Sequence, residues 1–430
     1  MKTVTTWLEC INCGFQTDLV TERKFRCPKC GDLFDVKHDI PKKSTSYWMR
    51  LFDARLRSED SGVWRFREWI MPNLPVPEKN IVSLGEGIVP IVPAGFHLKK
   101  WLGGSIEPWL ILEGKSPTSS FKDFGMTVLV SVAKAAGVKA IVCASTGDTS
   151  ASLAAYAGAA RIQCAVIIPE GKITPEQILQ AQIFGAKVIT LPGPFDDCMT
   201  VLQELVADYQ AYPGNSLNPT RIEGHQATVF LVAQFFKWTL PDCFVVPIGN
   251  GSNCSSIGKA LHLMKSLGFK AESRILGCQS EAANPMFLSW QKAGGINTTR
   301  EKWEAAFSPT KVGDTIATAM RIGNPVSYKK VIREITESRG AMVEASDDEA
   351  REAVLACAQG GHFVCPQTGI ALAGLKRAIN QGFIENGERV VVVSTADGLK
   401  FTHPFHSYFE GKFTRASNCQ TETVANILGL

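Results

Sequence analysis

A repeat of short apolar runs, each closed by a glycine or serine turn and followed by an amphipathic stretch, constrains this chain most. From about residue 108 the runs WLILEG, AIVCAS, AVIIPE, KVITLPG and CFVVPIG recur. Among them stand FKDFGMTVLVSVAKAAG, TSASLAAYAGAA, TPEQILQAQIFGA, FDDCMTVLQELVADY and SSIGKALHLMKSLG, with apolar residues three and four apart. Short runs without polar alternation read as strands buried on both faces, and their alternation with helical periodicity specifies parallel βαβ units. The pattern returns at RVVVVSTADGLKF. The expected fold class is α/β, with open, mostly parallel sheets in two lobes spanning residues 108–402. Residues 46–107 are rich in Pro and Trp and read as an N-terminal connecting region, and 403–430 as a C-terminal tail.

Residues 1–45 obey a different logic. Cys10 and Cys13 form one C-x2-C pair, Cys27 and Cys30 another, and turn residues flank both (CINCG, CPKCG). The intervening segment is long enough for a β-hairpin that brings the pairs together. Four thiolates in a tetrahedron suit Zn²⁺, and a closed four-cysteine shell leaves no coordination position for water, so the metal would be structural. A ribbon without metal, or four unrelated thiols, is the alternative.

Composition narrows the class. A chain of 430 residues accommodates two or three domains with substantial cores. No apolar run approaches the ~18 residues that span a bilayer. Lys+Arg total 45 against 41 Asp+Glu, a net charge of +4, too diffuse to indicate nucleic acid. The chain has thirteen cysteines, and those outside the two pairs stand singly, several in apolar runs. That usage fits reduced, buried thiols rather than a disulfide framework. MKTVTTWLEC lacks a secretory apolar stretch. A cytoplasmic location without membrane or nucleic-acid partners is expected.

In open α/β sheets ligands sit at the carboxyl ends of strands, and four such turns carry polar clusters. In SPTSSFKDFGM, Lys122 opens a helix beside Phe121 and Phe124. Partial desolvation would lower its pKa and make it a nucleophile for an aldehyde, although an ordinary surface lysine fits the segment too. In CASTGDTSASLAAY, Ser145, Thr146, Gly147, Asp148, Thr149 and Ser150 crowd a helix start, an anion site or a plain capping turn. In PIGNGSNCSSIGKA, Gly249, Asn250, Gly251, Ser252 and Asn253 link a strand to a helix. The glycines let main chain close around a phosphate, or simply make a turn. Neither a dinucleotide nor a nucleoside-triphosphate fingerprint is present. In GNSLNPTRIEGH, Asn215, Ser216, Asn218 and Arg221 lie within seven residues, and Arg221 offers a planar fork to a phosphate or carboxylate. One reactive lysine with at least two anion sites fits an imine-forming phosphorylated cofactor, most simply pyridoxal 5′-phosphate.

These segments resemble the fold type II pyridoxal-phosphate enzymes of the tryptophan synthase β family, and within it the threonine synthases of the plant-like branch. SSFKD, ASTGDTSASLAAY, NSLNPTRIEG, PIGNGSN, AMRIGNPVSY, FVCPQTGIALAGL and VVVVSTADGLKF follow the family order from about residue 60 to 402. An N-terminal four-cysteine ribbon also occurs in this family. The resemblance implies that Lys122 carries the cofactor as an imine and that Gly249, Asn250, Gly251, Ser252 and Asn253 hold its phosphate. Asp148 would face its phenolic oxygen and Thr395 its ring nitrogen. Ser145, Thr146 and Thr149 would take the substrate carboxylate, and Asn215, Ser216 and Arg221 the substrate phosphate. The implied reaction is a β,γ-replacement that turns O-phosphohomoserine and water into threonine and phosphate, in a homodimer.

Four positions depart from the family wording. Ser119 replaces the glycine before SFKD, Ser252 a glycine of the cofactor loop, Gln226 the lysine of EGQKT, and Asp397 the histidine of STAHGLKF. Two alternatives follow. One is a related replacement or elimination on another amino acid, such as phosphoserine or threonine. The other is a zinc-ribbon binding protein whose enzyme domain is vestigial.

Overall fold

The structure is a computed structural model, and it describes residues 5–56, 62–75, 77–145, 147–170, 175–193 and 195–430. Three sheets organise it. The N-terminal sheet is antiparallel, in the order β2-β1-β3, with β1 Thr6–Cys10, β2 Gln16–Thr17 and β3 Phe34–His38. The largest sheet has six strands in the order β12-β11-β10-β13-β5-β4. These are β4 Ile91–Pro93, β5 Trp109–Leu112, β10 Cys243–Pro247, β11 Arg274–Ser280, β12 Ala341–Ala345 and β13 Val390–Ser394. All its pairings are parallel except that of β4 at the edge. A second parallel sheet runs β8-β7-β6-β9, from β6 Ala140–Ala144, β7 Gln163–Pro169, β8 Lys187–Leu191 and β9 Tyr212–Pro213. The α/β class, the two mostly parallel lobes and the separate N-terminal ribbon are as the sequence indicated.

Burial follows the pattern of the runs. Strands β10 and β13 (CFVVP, VVVVS) are buried at every position, because helices cover both faces of a parallel sheet. The peripheral β8 (KVITL) is half-buried or exposed throughout. Residues 46–107 contribute to the core: Trp48, Phe52, Phe66 and Trp69 pack with Phe230, Trp238 and Phe269 at ring-centroid distances of 4.7–6.1 Å. Such edge-to-face clusters bury large apolar areas with fixed geometry. Among the described residues, no helix is long and apolar enough to cross a membrane.

Two close approaches shape the cleft. A Cβ on Gly224 would lie 1.8 Å from the carbonyl oxygen of Phe124, and one on Gly125 would lie 2.6 Å from His225 Nε2. Glycine at both positions therefore lets helix Thr220–His225 cross directly on helix Lys122–Ala135. That crossing sets Arg221 beside Lys122.

Candidate active site

The site lies between the lobes, where the carboxyl ends of β5, β10 and β13 face the end of β6. Lys122 is the first residue of its helix. Burial, and after it the Arg221 guanidinium, lower its amine from 10.5 to about 7 against the opposing Asp148 carboxylate. Its Nζ stands 3.9 Å from the Phe121 ring centroid. The side chain itself is half-buried.

Arg221 is fully buried, and burial lowers it to about 10. Its Nη1 donates to the Gly214 carbonyl at 3.2 Å, while Nε and Nη2 have no partner among the described residues. Beside it both ring nitrogens of His225 are likewise unpartnered. Burial, then Arg221 and Lys122, push His225 well below its ordinary value, so the imidazole is neutral. A buried guanidinium with unused donors beside a half-buried lysine makes surroundings whose electrostatics call for an anion. The Asn215 side chain is engaged otherwise: its amide pairs with the Ala144 main chain, accepting at 3.0 Å and donating at 2.9 Å. It thereby ties the end of β6 to the Arg221 loop, and Ser216 follows it directly.

At the start of helix Asp148–Ala160, Asp148 lies in the first turn, Ser145 and Thr149 are half-buried, and Thr146 lies outside the described residues. The Gly147 N–H approaches Ser145 Oγ at 3.5 Å. The third turn, Gly249–Asn253, leads from β10 into helix Ser252–Ser266. Gly251 adopts φ +88°, and a Cβ there would strike Val331. Asn250 is held by the Val326 and Ser327 N–H groups. The first N–H groups of the following helix have no carbonyl inside it and carry the positive end of its dipole. The buried Asn253 amide also lacks a partner among the described residues. These features fit a phosphate.

Thr395 is buried at the end of β13. Its Oγ1 lies 3.4 Å from Cys365 Sγ, and its N–H donates to Thr368 at 3.1 Å. Around a cofactor ring nitrogen it would offer a neutral hydroxyl. The reactive lysine, the phosphate turn and the neutral hydroxyl thus suit pyridoxal 5′-phosphate.

Two residues escaped the sequence reading. Lys400 reaches from the turn after β13 to Asp148 Oδ1 at 2.7 Å and to the Thr118 carbonyl at 2.9 Å. Cys365, the N-cap of helix Pro366–Asn380, lies beside Thr395, and burial pushes its thiol up. Their only signal was position inside the quoted STADGLKF and FVCPQTG segments.

Three of the four departures have local explanations, and Ser119 has none in the structure. Ser119 sits at φ +61°, a backbone region that favours glycine. Ser252 begins a helix, where serine is acceptable. Asp397 pairs with Lys115 at 2.6 Å and accepts the Leu399 N–H at 3.0 Å. Gln226 donates to Glu223 at 2.8 Å.

In the ribbon, Sγ atoms of Cys10, Cys13, Cys27 and Cys30 lie within 4.8 Å of one another. The shortest separations are 3.4–3.5 Å, near the ~3.8 Å edge of a tetrahedron with Zn–S bonds of ~2.3 Å. The Asp32 amide lowers the Cys30 thiol to about 6. The donor set fits Zn²⁺.

This chain belongs to the pyridoxal-phosphate dependent enzyme family, whose model matches residues 82–396. Among curated proteins it is 38% identical to the threonine synthase of Methanocaldococcus jannaschii, over 91% of this chain and 92% of that one. It is 37% identical to threonine synthase 2, chloroplastic, of Arabidopsis thaliana, over 86% and 72%. Among solved structures, threonine synthase from Escherichia coli aligns with TM-score 0.70 and 19% identity, covering 96% of this chain and 93% of that one. PLP-bound threonine synthase from Brucella melitensis gives 0.69 and 17%, over 94% and 91%. At these identities the structural likeness bears on the fold alone.

Proposed function

We propose that this protein converts O-phosphohomoserine and water to threonine and inorganic phosphate, with pyridoxal 5′-phosphate as its cofactor. The observation that carries the reading is the juxtaposition of a half-buried Lys122 and a fully buried Arg221, two basic side chains with different capacities. Lys122 exchanges its proton near neutral pH, so it can bind a carbonyl cofactor and move protons at the substrate. Arg221 keeps its charge and has two unused donor nitrogens, as a leaving phosphate requires. The curated relatives over nine-tenths of the chain are threonine synthases, which supports the same substrate.

When bound, the cofactor supplies an electron sink for negative charge developing on substrate carbon. Its phosphate is assigned to Gly249–Asn253, its ring nitrogen to Thr395 and its phenolic oxygen to Asp148. Ser145, Thr146 and Thr149 take the substrate carboxylate. Ser216 and Arg221 take the substrate phosphate, with Asn215 bracing the loop between them and β6. Phosphate leaves Cγ with the bonding electron pair, and water adds at Cβ. Cys10, Cys13, Cys27 and Cys30 are assigned a structural Zn²⁺. A homodimer, from the family resemblance, and a cytoplasmic setting, from the cysteine usage, complete the reading.

The test offers the purified holoenzyme O-phosphohomoserine or O-phosphoserine, with phosphate release and amino acid products measured. Threonine in equal yield with phosphate, from O-phosphohomoserine only, is expected. Phosphate release from O-phosphoserine without threonine formation would move the assignment to another substrate.

A further inference from the structure

Strand β3 of the ribbon is tied to the catalytic lobes along its length. The Phe34 carbonyl accepts from Lys330 at 2.7 Å, and Asp35 pairs with Lys330 at 2.7 Å and Arg333 at 2.9 Å. The Val36 carbonyl accepts from Lys259 at 2.6 Å, and His38 Nε2 lies 3.2 Å from Glu223 Oε2. Glu223 is completely buried, and it also receives Lys259 and Gln226. It stands two residues beyond Arg221 on the six-residue helix Thr220–His225. Lys259 belongs to the helix that starts at the cofactor-phosphate turn. Glu223 therefore joins the ribbon to both anion sites.

Burial pushes His38 below its ordinary value, so the ring is neutral. A carboxylate only accepts, so the contact with Glu223 calls for a proton on Nε2, and Nδ1 lies 2.8 Å from the Thr6 hydroxyl. Thr6 and His38 are paired across β1 and β3, and the other end of β1 is Cys10. One short strand thus connects the four-cysteine cluster with the residue that holds Glu223. Gln226, at φ −57° and ψ −27°, joins this helix directly to helix Ala227–Phe235, so the tie at Glu223 acts on the first turns of a longer helical segment, where Arg221 also stands.

We propose that His38 and Glu223 are positioning residues for the substrate phosphate: through them the ribbon fixes the helical turn on which Arg221 stands. The inference rests on the assignment of Arg221 to the substrate phosphate.

The test uses the holoenzyme, with inorganic phosphate as the probe. Calorimetric titration gives its affinity, and steady-state kinetics with O-phosphohomoserine give KM and kcat separately. His38→Ala and Glu223→Gln are expected to weaken phosphate binding and raise KM by about 3- to 30-fold, with kcat and cofactor absorbance largely kept. His38→Gln, whose amide also donates to a carboxylate, should recover most of the loss. Lys329→Ala cuts the remote ribbon tie to Asp32 and should leave phosphate affinity unchanged. Wild-type affinity in His38→Ala, or an equal loss in Lys329→Ala, would overturn the inference. Wild-type affinity in Arg221→Ala would instead remove the phosphate assignment on which it stands.

Discussion

Lys400 Nζ lies 2.7 Å from Asp148 Oδ1, and the two residues come from opposite lobes. Lys400 follows β13 of the six-stranded sheet, whereas Asp148 opens the helix after β6 of the four-stranded sheet. The pair does two things at once. It latches the cleft, and it offsets a carboxylate that would otherwise act on Lys122 alone.

Lys400→Met removes that offset. Because Asp148 already pulls the Lys122 amine upward, the pH at which the cofactor attaches is expected to rise. Leaving a mostly buried carboxylate without its cation should cost about 1–3 kcal/mol of stability. Reconstitution rates across pH, with denaturant unfolding, check both. An unchanged pH profile would separate Asp148 from Lys122.

Lys122→Ala should abolish turnover and borohydride trapping of the cofactor while preserving the fold, since one amine serves both as attachment point and as proton carrier. In the cofactor-free wild type the folded-state value near 7 lies below the ordinary 10.5. Between those values the unfolded chain holds the proton and the folded one does not. Stability from this group therefore rises with pH across that window, and Lys122→Met should flatten the slope. Turnover by the alanine variant, or trapping at another lysine, would sink the assignment.

Arg221→Ala should cost roughly 2–5 kcal/mol in transition-state stabilisation for the phosphorylated substrate. Cofactor attachment and imine exchange with a non-phosphorylated amino acid should survive. Arg221→Lys should restore little, because a point charge lacks the planar fork. Parallel kinetics on the two variants are the check.

Zinc removal by chelation, or Cys→Ser at Cys10, Cys13, Cys27 or Cys30, is expected to lower the melting temperature while kcat per folded molecule persists. Metal analysis and thermal scans of the same samples decide it. Lost kcat with an unchanged melting curve would contradict a structural role.

Ser119→Gly should stabilise the protein by up to ~1.6 kcal/mol: it relieves about 1–2 kcal/mol of left-handed strain at φ +61° and adds ~0.4–1 kcal/mol of chain entropy to the unfolded state. Activity should not change. A destabilised variant would mean that the Ser119 side chain makes a contact worth more than the strain.

The sequence alone determined the strands, the helices and the turns between them. Periodicity fixes which residues face a core, and a βαβ unit places its chemistry at the strand's carboxyl end. For that reason the sequence singled out Lys122, Asp148 and Gly249–Asn253, whereas Thr395 came from the family resemblance, and the spacing of Cys10, Cys13, Cys27 and Cys30 announced a cluster. Tertiary structure alone decided what those turns meet. The Gly125–Gly224 crossing brings Arg221 to Lys122, lobe closure brings Lys400 to Asp148, and ribbon docking brings His38 to Glu223 across 185 positions. It also turned the Asn215 amide to the Ala144 main chain. Such pairings depend on how packed elements abut, and local periodicity carries no information about which surfaces will meet.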